Sequence, residues 1–409
     1  MEGVVMADSA DSFPFSDGPL ASQPPEFVRR RQQCPVSHVT LPTGDPALLV
    51  LKHQDIEAIM GDDRRFTRDL SDPSAPRLFP NILVLEDPEL MMNMHGDDHL
   101  RLRRIIASAF TPRRAEKWRD EVRAIVDELL DDVERMGPPV DLMANFAYRL
   151  PTRMVCRLLG ISDDEGDRTL GWVAAWLSVD AIPVEERDKA AAEFTAWAVA
   201  LIEERRANPQ DALLDHLISA RDVDDRLTEG ELVSMLRGLI IGGNETIANA
   251  ISRSVLSLMR FPERWEELLA NRDLIPKAVE ELLRFSPPGG GASGLLRLAT
   301  EDVELPSGAG TVRKGQAVLT PLVAAGHDPE AFPDPEELRF DREGKTSTMQ
   351  FGAGRHFCPG VHLARVELQT VLAALLDRFP KLHLPVEPEE LPWSEGSYGT
   401  SLLGLPVAW

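Results

Sequence analysis

Near the C-terminal end the chain reads FGAGRHFCPG, Phe351 to Gly360, and Cys358 in that loop is one of only three cysteines, with Cys34 and Cys156. A thiol so placed can join a disulfide, fill a core position, or hold a metal ion as a lone ligand. An odd, widely spaced set argues against a disulfide framework and fits a reducing compartment. Gly352, Gly354 and Gly360 allow positive φ and close backbone approach, so a tight turn can aim amides at the sulfur. The sequence predicts a helix from about Val361, whose positive end favours a thiolate over a thiol. No second cysteine or histidine stands at zinc-like spacing, which disfavours a closed tetrahedral zinc site.

One thiolate used alone is what a haem iron requires, because the porphyrin supplies the equatorial ligands. The pattern Phe-x-x-Gly-x-x-x-Cys-x-Gly, carried by Phe351, Gly354, Cys358 and Gly360, resembles the haem loop of the cytochrome P450 monooxygenases. FTPRR, ATEDVEL and the ending LLGLPVAW extend the resemblance over nearly the whole chain, toward soluble actinobacterial members. It implies a mainly α fold with a minor β region, one large helix-rich domain over residues 1–409, and haem b bound through Cys358. It further implies a monooxygenase that puts one oxygen atom of O2 into a sizeable, mainly apolar molecule by hydroxylation or epoxidation. Polyketides, macrolides, terpenoids and peptides of antibiotic biosynthesis are the implied substrate classes.

Three further motifs gain meaning beside that loop. GGNET, Gly242 to Thr246, places two glycines mid-helix, each costing about 0.5–1 kcal/mol relative to alanine. They let a flat ligand or a small gas molecule approach the helix. The resemblance makes Glu245 and Thr246 the acid–alcohol pair that supplies protons on the oxygen side of the haem. His99 and Arg103, at i,i+4, can reach one carboxylate, and the resemblance assigns them to the haem propionates with Arg297 and His356. Glu281 and Arg284 in EELLR form an i,i+3 pair whose spacing alone says little, since Glu-x-x-Arg recurs at Glu116–Arg119, Glu165–Arg168 and Glu203–Arg206. By resemblance this pair is structural and braces a Pro-rich meander. Two stretches depart from the family's usual wording: AAGHDP (Ala324–Pro329), and HGDD before HLRLRR. Pro359, directly after the cysteine, lacks the amide N–H that most relatives keep near the sulfur.

Elements must hold these groups in place. Helical periodicity runs from Asp98 to about Met259, broken at Thr111-Pro112 and Gly137-Pro138-Pro139. Helices are predicted near 164–181 and 184–207, then a long one over 228–260, locally loosened at its glycines. Shorter helices follow at 263–270 and 277–285, and another after Gly360. PALLVLKHQDIEAIM reads as strand then helix; LLRLATEDVEL and QAVLTPLVAAG read as strands. The first forty residues are expected to wrap the surface. PNILVLEDPELMMNM is apolar without a period, a candidate loop over a cavity or an irregular core segment. The expected cavity lining is Met91, Met92, Leu239, Ile241, Leu295 and Leu296, with the turn Gly289–Leu296 and a terminal hairpin at Leu402 and Leu403.

The charge balance, 44 basic against 67 acidic residues for a net −23, argues against nucleic acid as a partner. No N-terminal signal pattern and no apolar run of membrane-spanning length is present, so a soluble, cytoplasmic monomer is expected. The sequence contains no flavin or ferredoxin segment, so NAD(P)H-derived electrons are expected through a ferredoxin reductase and an acidic ferredoxin. Arg101, Arg104, Arg113, Arg114 and Lys117, with Arg355 and Arg365, form the expected docking face. Two rivals are a non-catalytic relative that recruits partners and a thiolate–haem sensor; neither uses Glu245 and Thr246.

Overall fold

A computed structural model describes residues 11–69, 75–80, 82, 87–223, 227–290, 294–343 and 348–409. Its longest element is the helix Glu229–Arg260. Thr228 and Glu231 cap its start reciprocally: the Glu231 amide donates to the Thr228 hydroxyl at 3.1 Å, and the Thr228 amide to the Glu231 carboxylate at 2.8 Å. Pro262, which cannot extend the helix, instead opens the next one, Pro262–Ala270. The helix is unbroken at Gly242-Gly243, so the expected loosening there does not occur.

Two apolar clusters divide along this helix. Its second half, from Ile247 on, packs with helices Arg119–Met136, Arg149–Leu159 and Val361–Arg378. Its first half packs with Gly166–Leu177, Val184–Ala207 and Leu213–Asp222, around Trp172, Trp176 and Phe194. The sequence pattern does not separate the last of these three helices. A third cluster underlies a six-stranded mixed sheet, ordered Asp11–Ser12, Val36–Thr40, Pro46–Val50, Ala317–Thr320, Leu295–Ala299, Phe66–Thr67.

Two expectations change. QAVLTPLVAAG is only half strand: Ala317–Thr320 pairs in the sheet, then Pro321 caps a short helix, Leu322–Gly326. The segment before residue 40 does more than wrap the surface. Helix Pro25–Gln33 buries Phe27 and sends the Arg31 guanidinium inward to the carbonyls of Leu51, Ala324 and His327. Those contacts also account for AAGHDP: His327 is buried, its Nδ1 lies 3.1 Å from the Val323 carbonyl, and Asp328 accepts the His53 amide.

Glu281 and Arg284 are buried on helix Ile275–Phe285, joined by two 2.7 Å hydrogen bonds. Arg284 also donates to the carbonyls of Gly326, Pro335 and Glu337, and Arg342 donates to Glu281 at 2.8 Å. The carboxylate and guanidinium thereby fasten the meander that leads to the cysteine loop. Among the described residues, no helix is long and apolar enough to cross a membrane.

Candidate active site

The cysteine loop is built by backbone geometry. Gly354 has φ +64°, and a Cβ there would meet the Met60 carbonyl at 2.9 Å, so the turn admits glycine alone without rearrangement. Gly352 also has positive φ, whereas Gly360 sits at φ −82°, an ordinary conformation that corrects the expectation for it. The Cys358 amide donates to the Phe351 carbonyl at 2.8 Å, closing the loop. Phe351 stacks under the Arg365 guanidinium, 5.2 Å from the ring centre.

Amides of Gly360 and Val361 point at the Cys358 sulfur. Burial nevertheless pushes the thiol up, and those amides with the charges of Arg103 and Arg365 only partly offset it. The expected preference for thiolate is therefore not a property of the loop alone. A metal cation bound at the sulfur would complete the ionisation.

Leu363 and Ala364, just beyond the cysteine, share an apolar cluster with Ile247 and Ala248 of the long helix. On that helix Gly242 and Thr246 are exposed, although their surroundings are core, and a Cβ at Gly242 would meet open space. Gly243 faces the other way, where a Cβ would collide with Val155. Two adjacent glycines thus serve different ends: one leaves room beside the helix, the other lets two helices touch.

Thr246 and Glu245 are not bonded to each other. The Thr246 hydroxyl donates back to the Gly242 carbonyl at 2.8 Å. Glu245 Oε1 accepts from Ser401 Oγ at 2.9 Å and from Asn249 Nδ2 at 3.2 Å. Burial raises the Glu245 carboxyl, and these two donors moderate the rise.

A second group of side chains converges with, among the described residues, a single acid nearby, Asp63, which is taken up by Arg355 at 2.6 Å. His99 and His356 stack with ring centres 4.1 Å apart, and His95 lies parallel to His356 at 6.4 Å. Arg103 donates to the Phe357 carbonyl at 2.5 Å. Arg297 is 2% exposed; its Nη1 donates to the Leu296 carbonyl at 3.0 Å and its Nη2 has no partner. Burial pushes His99 down to about 4, with Arg103 and Arg68 adding to the fall. His356 falls to about 2 for the same reason, with Arg68, His99 and Arg297 nearby. A buried cluster of donors this poor in negative charge fits a ligand with paired carboxylates. Haem propionates meet that description, as the sulfur and the open face at Gly242 meet the needs of the iron and the ring.

The cytochrome P450 family description matches residues 172–399. The chain belongs to the cytochrome P450 family. It is 40% identical to nocardicin C N-oxygenase of Nocardia uniformis subsp. tsuyamanensis, over 97% of this chain and 98% of that protein. Mycinamicin IV hydroxylase/epoxidase of Micromonospora griseorubida is 38% identical over the same shares. The crystal structure of the LnmA cytochrome P450 hydroxylase from the leinamycin pathway of Streptomyces atroolivaceus superposes with a TM-score of 0.88 at 36% identity, covering 98% of this chain and all of that one. As a P450, this protein is a haem-dependent monooxygenase that acts on small molecules with O2 and electrons from redox partners.

The expected substrate wall of this P450 is partly rearranged. Met91 and Met92 form a half-buried turn, and Leu239 and Ile241 pack into the same cluster. Strand alternation puts Leu295 on the face of Arg297 and turns Leu296 into the sheet core. Leu402 and Leu403 do not serve: Leu402 is wholly buried among Leu405 and Val407, and Leu403 is 58% exposed beside Pro392. The hairpin instead presents Tyr398, whose hydroxyl donates to the Gly294 carbonyl at 3.0 Å and whose ring meets Phe79 edge-on. Gly291–Ser293 of the glycine turn lie outside the described residues.

Sequence reasoning missed His95, Arg68, Asn249, Ser401 and Tyr398. Asn249 stands four residues after Glu245, a spacing that could have flagged it. His95 likewise stands four residues before His99, in the HGDD stretch. Arg68, Ser401 and Tyr398 arrive from distant segments, and no local pattern marks them.

Proposed function

We propose that this P450 is a single-domain tailoring monooxygenase, residues 1–409, that hydroxylates or epoxidises a sizeable, mainly apolar secondary metabolite. The observation that carries the reading is the half-buried sulfur of Cys358, held among backbone amides near the open face left by Gly242 and Thr246. The activities of the relatives, N-oxygenation of nocardicin C and hydroxylation/epoxidation of mycinamicin IV, support the tailoring role.

Cys358 would hold the haem iron through its sulfur; Phe351, Gly354 and Gly360 shape its loop. His99, Arg103, Arg297 and His356 would hold the propionates. Bound haem supplies the iron at which O2 is activated. Glu245 keeps a proton at neutral pH more readily than an exposed carboxyl does, and the bonds on its Oε1 leave Oε2 to carry it. Thr246 must release the Gly242 carbonyl before its hydroxyl can turn toward the open face.

Electron delivery follows the same logic. Arg104, Arg113, Arg114 and Lys117 are exposed, and helix Pro112–Lys117 packs by Ala115 beside Leu363 and Ala364. These four form the docking face for an acidic ferredoxin, itself reduced by its reductase. Three expected members are engaged elsewhere: Arg101 pairs with Glu231, Arg365 with Glu280 and Arg355 with Asp63. A cytoplasmic monomer completes the reading.

The deciding experiment is the reduced carbon monoxide spectrum of the purified protein, followed by turnover of natural-product scaffolds with surrogate redox partners. Wild type gives the red-shifted band of a thiolate-ligated haem, and Cys358→Ala loses it together with turnover. A colourless wild type that refuses haemin ends the proposal.

A further inference from the structure

Arg68, whose charge reaches His99 and His356, is set against Arg297 by the sheet. Phe66 pairs with Ala299 and Thr67 with Leu298, antiparallel, so the next position of the ladder puts Arg68 across from Arg297. Opposed residues in such a pair share a face, and like charges so placed repel. Burial depresses both guanidinium groups, and the Arg68 charge lowers Arg297 further. Neither is ion-paired among the described residues, and Arg297 Nη2 lacks any partner while the residue is 2% exposed. Arg297 is buried and Arg68 half-buried, so two cations stand side by side partly out of water, an arrangement that an anion stabilises.

Haem brings two carboxylates, and Arg103 and Arg297, each beside a histidine, are matched to them. Arg68 is one guanidinium more than the porphyrin needs. Arg68 borders the cluster at His99 and His356, and on its other side lies Tyr398, whose ring with Phe79 forms an apolar wall in the same cluster as Leu295. We propose that Arg68, supported by Tyr398, receives the carboxylate of the substrate, which makes this P450 selective for apolar carboxylic acids over their neutral analogues. This inference rests on the monooxygenase reading for the identity of the cleft, but its test does not use turnover.

Equilibrium dialysis of the holoprotein against dodecanoate, 4-phenylbutanoate and N-benzoylphenylalaninate, each paired with its primary amide, measures the preference directly. At least one acid should bind wild type about 10-fold or more tighter than its amide, the worth of a charge-assisted hydrogen bond. Arg68→Gln should erase that preference and Arg68→Lys restore part of it, with haem content and the rate of haem transfer to apomyoglobin unchanged in both. Acids that bind no tighter than amides overturn the proposal. So does faster haem loss from Arg68→Gln, because the carboxylate served would then be the porphyrin's own. A missing carbon monoxide band in wild type would instead sink the haem–thiolate assignment, while the acid–amide comparison still decides this one.

Discussion

Gly242 and Gly243 are chemically identical neighbours with opposite surroundings, and they show how much a residue's meaning depends on which way it points. An added methyl at Gly242 enters open space, whereas at Gly243 it strikes Val155. Gly242→Ala should raise the thermal midpoint, since alanine is favoured in a helix interior by about 1 kcal/mol. Gly243→Ala should lower it, because overpacking a core costs about 1–3 kcal/mol and exceeds the helix gain. Calorimetry on both variants checks the pair, and midpoints that move in the same direction would contradict the assigned faces. Pro359 is a second case at this scale. Amides of Gly360 and Val361 reach the sulfur, and proline supplies none between them and Cys358. Fewer N–H donors leave a thiolate ligand richer in electrons and the iron harder to reduce. Redox titration of Pro359→Leu should therefore give a higher potential than wild type; an unchanged or lower one counts against the argument.

At the scale of elements, helix Val361–Arg378 carries an unexpected carboxyl in its buried face. Glu367 is 4% exposed, its Oε2 has no hydrogen-bond partner, and burial raises it to about 8. A folded-state value above the ordinary 4.5 means that the native protein binds a proton the unfolded chain gives up. The associated stability is present at low pH and is lost as pH rises through about 8. A tenfold difference in proton affinity between the folded and unfolded chain is worth about 1.4 kcal/mol, so the wild-type advantage over Glu367→Gln should shrink by a few kcal/mol between pH 5 and 8. Denaturant titrations of both proteins across that range supply the measurement; parallel pH profiles would show that Glu367 is not held neutral.

Over the whole molecule, net charge and local charge point in opposite directions. The chain carries −23, yet helix Pro112–Lys117 and Arg104 present cations beside the cysteine loop. An acidic partner is steered to that patch only while salt leaves the field unscreened, over roughly 10 Å at 0.1 M. Stopped-flow reduction by a ferredoxin should slow steeply with ionic strength. Arg113→Ala with Arg114→Ala should lower the low-salt rate by about 10-fold, while Arg101→Ala, whose partner is Glu231, leaves that rate nearly unchanged. A reduction rate indifferent to salt would remove this face from consideration.

Whatever a few neighbouring residues can specify is legible in the sequence of this protein. The cysteine loop is one such case, because glycine spacing and a following helix are local constraints. The long helix is another: Thr228 and Glu231 cap it and Pro262 ends it within reach of its own backbone. The Glu281–Arg284 pair is visible for the same reason, although its meaning comes from Arg342 and the meander carbonyls. Packing decides which groups meet across long stretches of chain. Ser401 reaches Glu245 from 156 residues away, Arg101 leaves the docking face for Glu231, and Arg68 is set against Arg297 by strand register. Leu402 and Leu403 fall on the wrong sides of their hairpin for a related reason: an apolar residue does not reveal which surface it will cover. Periodicity and turns act within a few residues, whereas burial, ion pairing and cleft lining depend on contacts that exist only once the chain has packed.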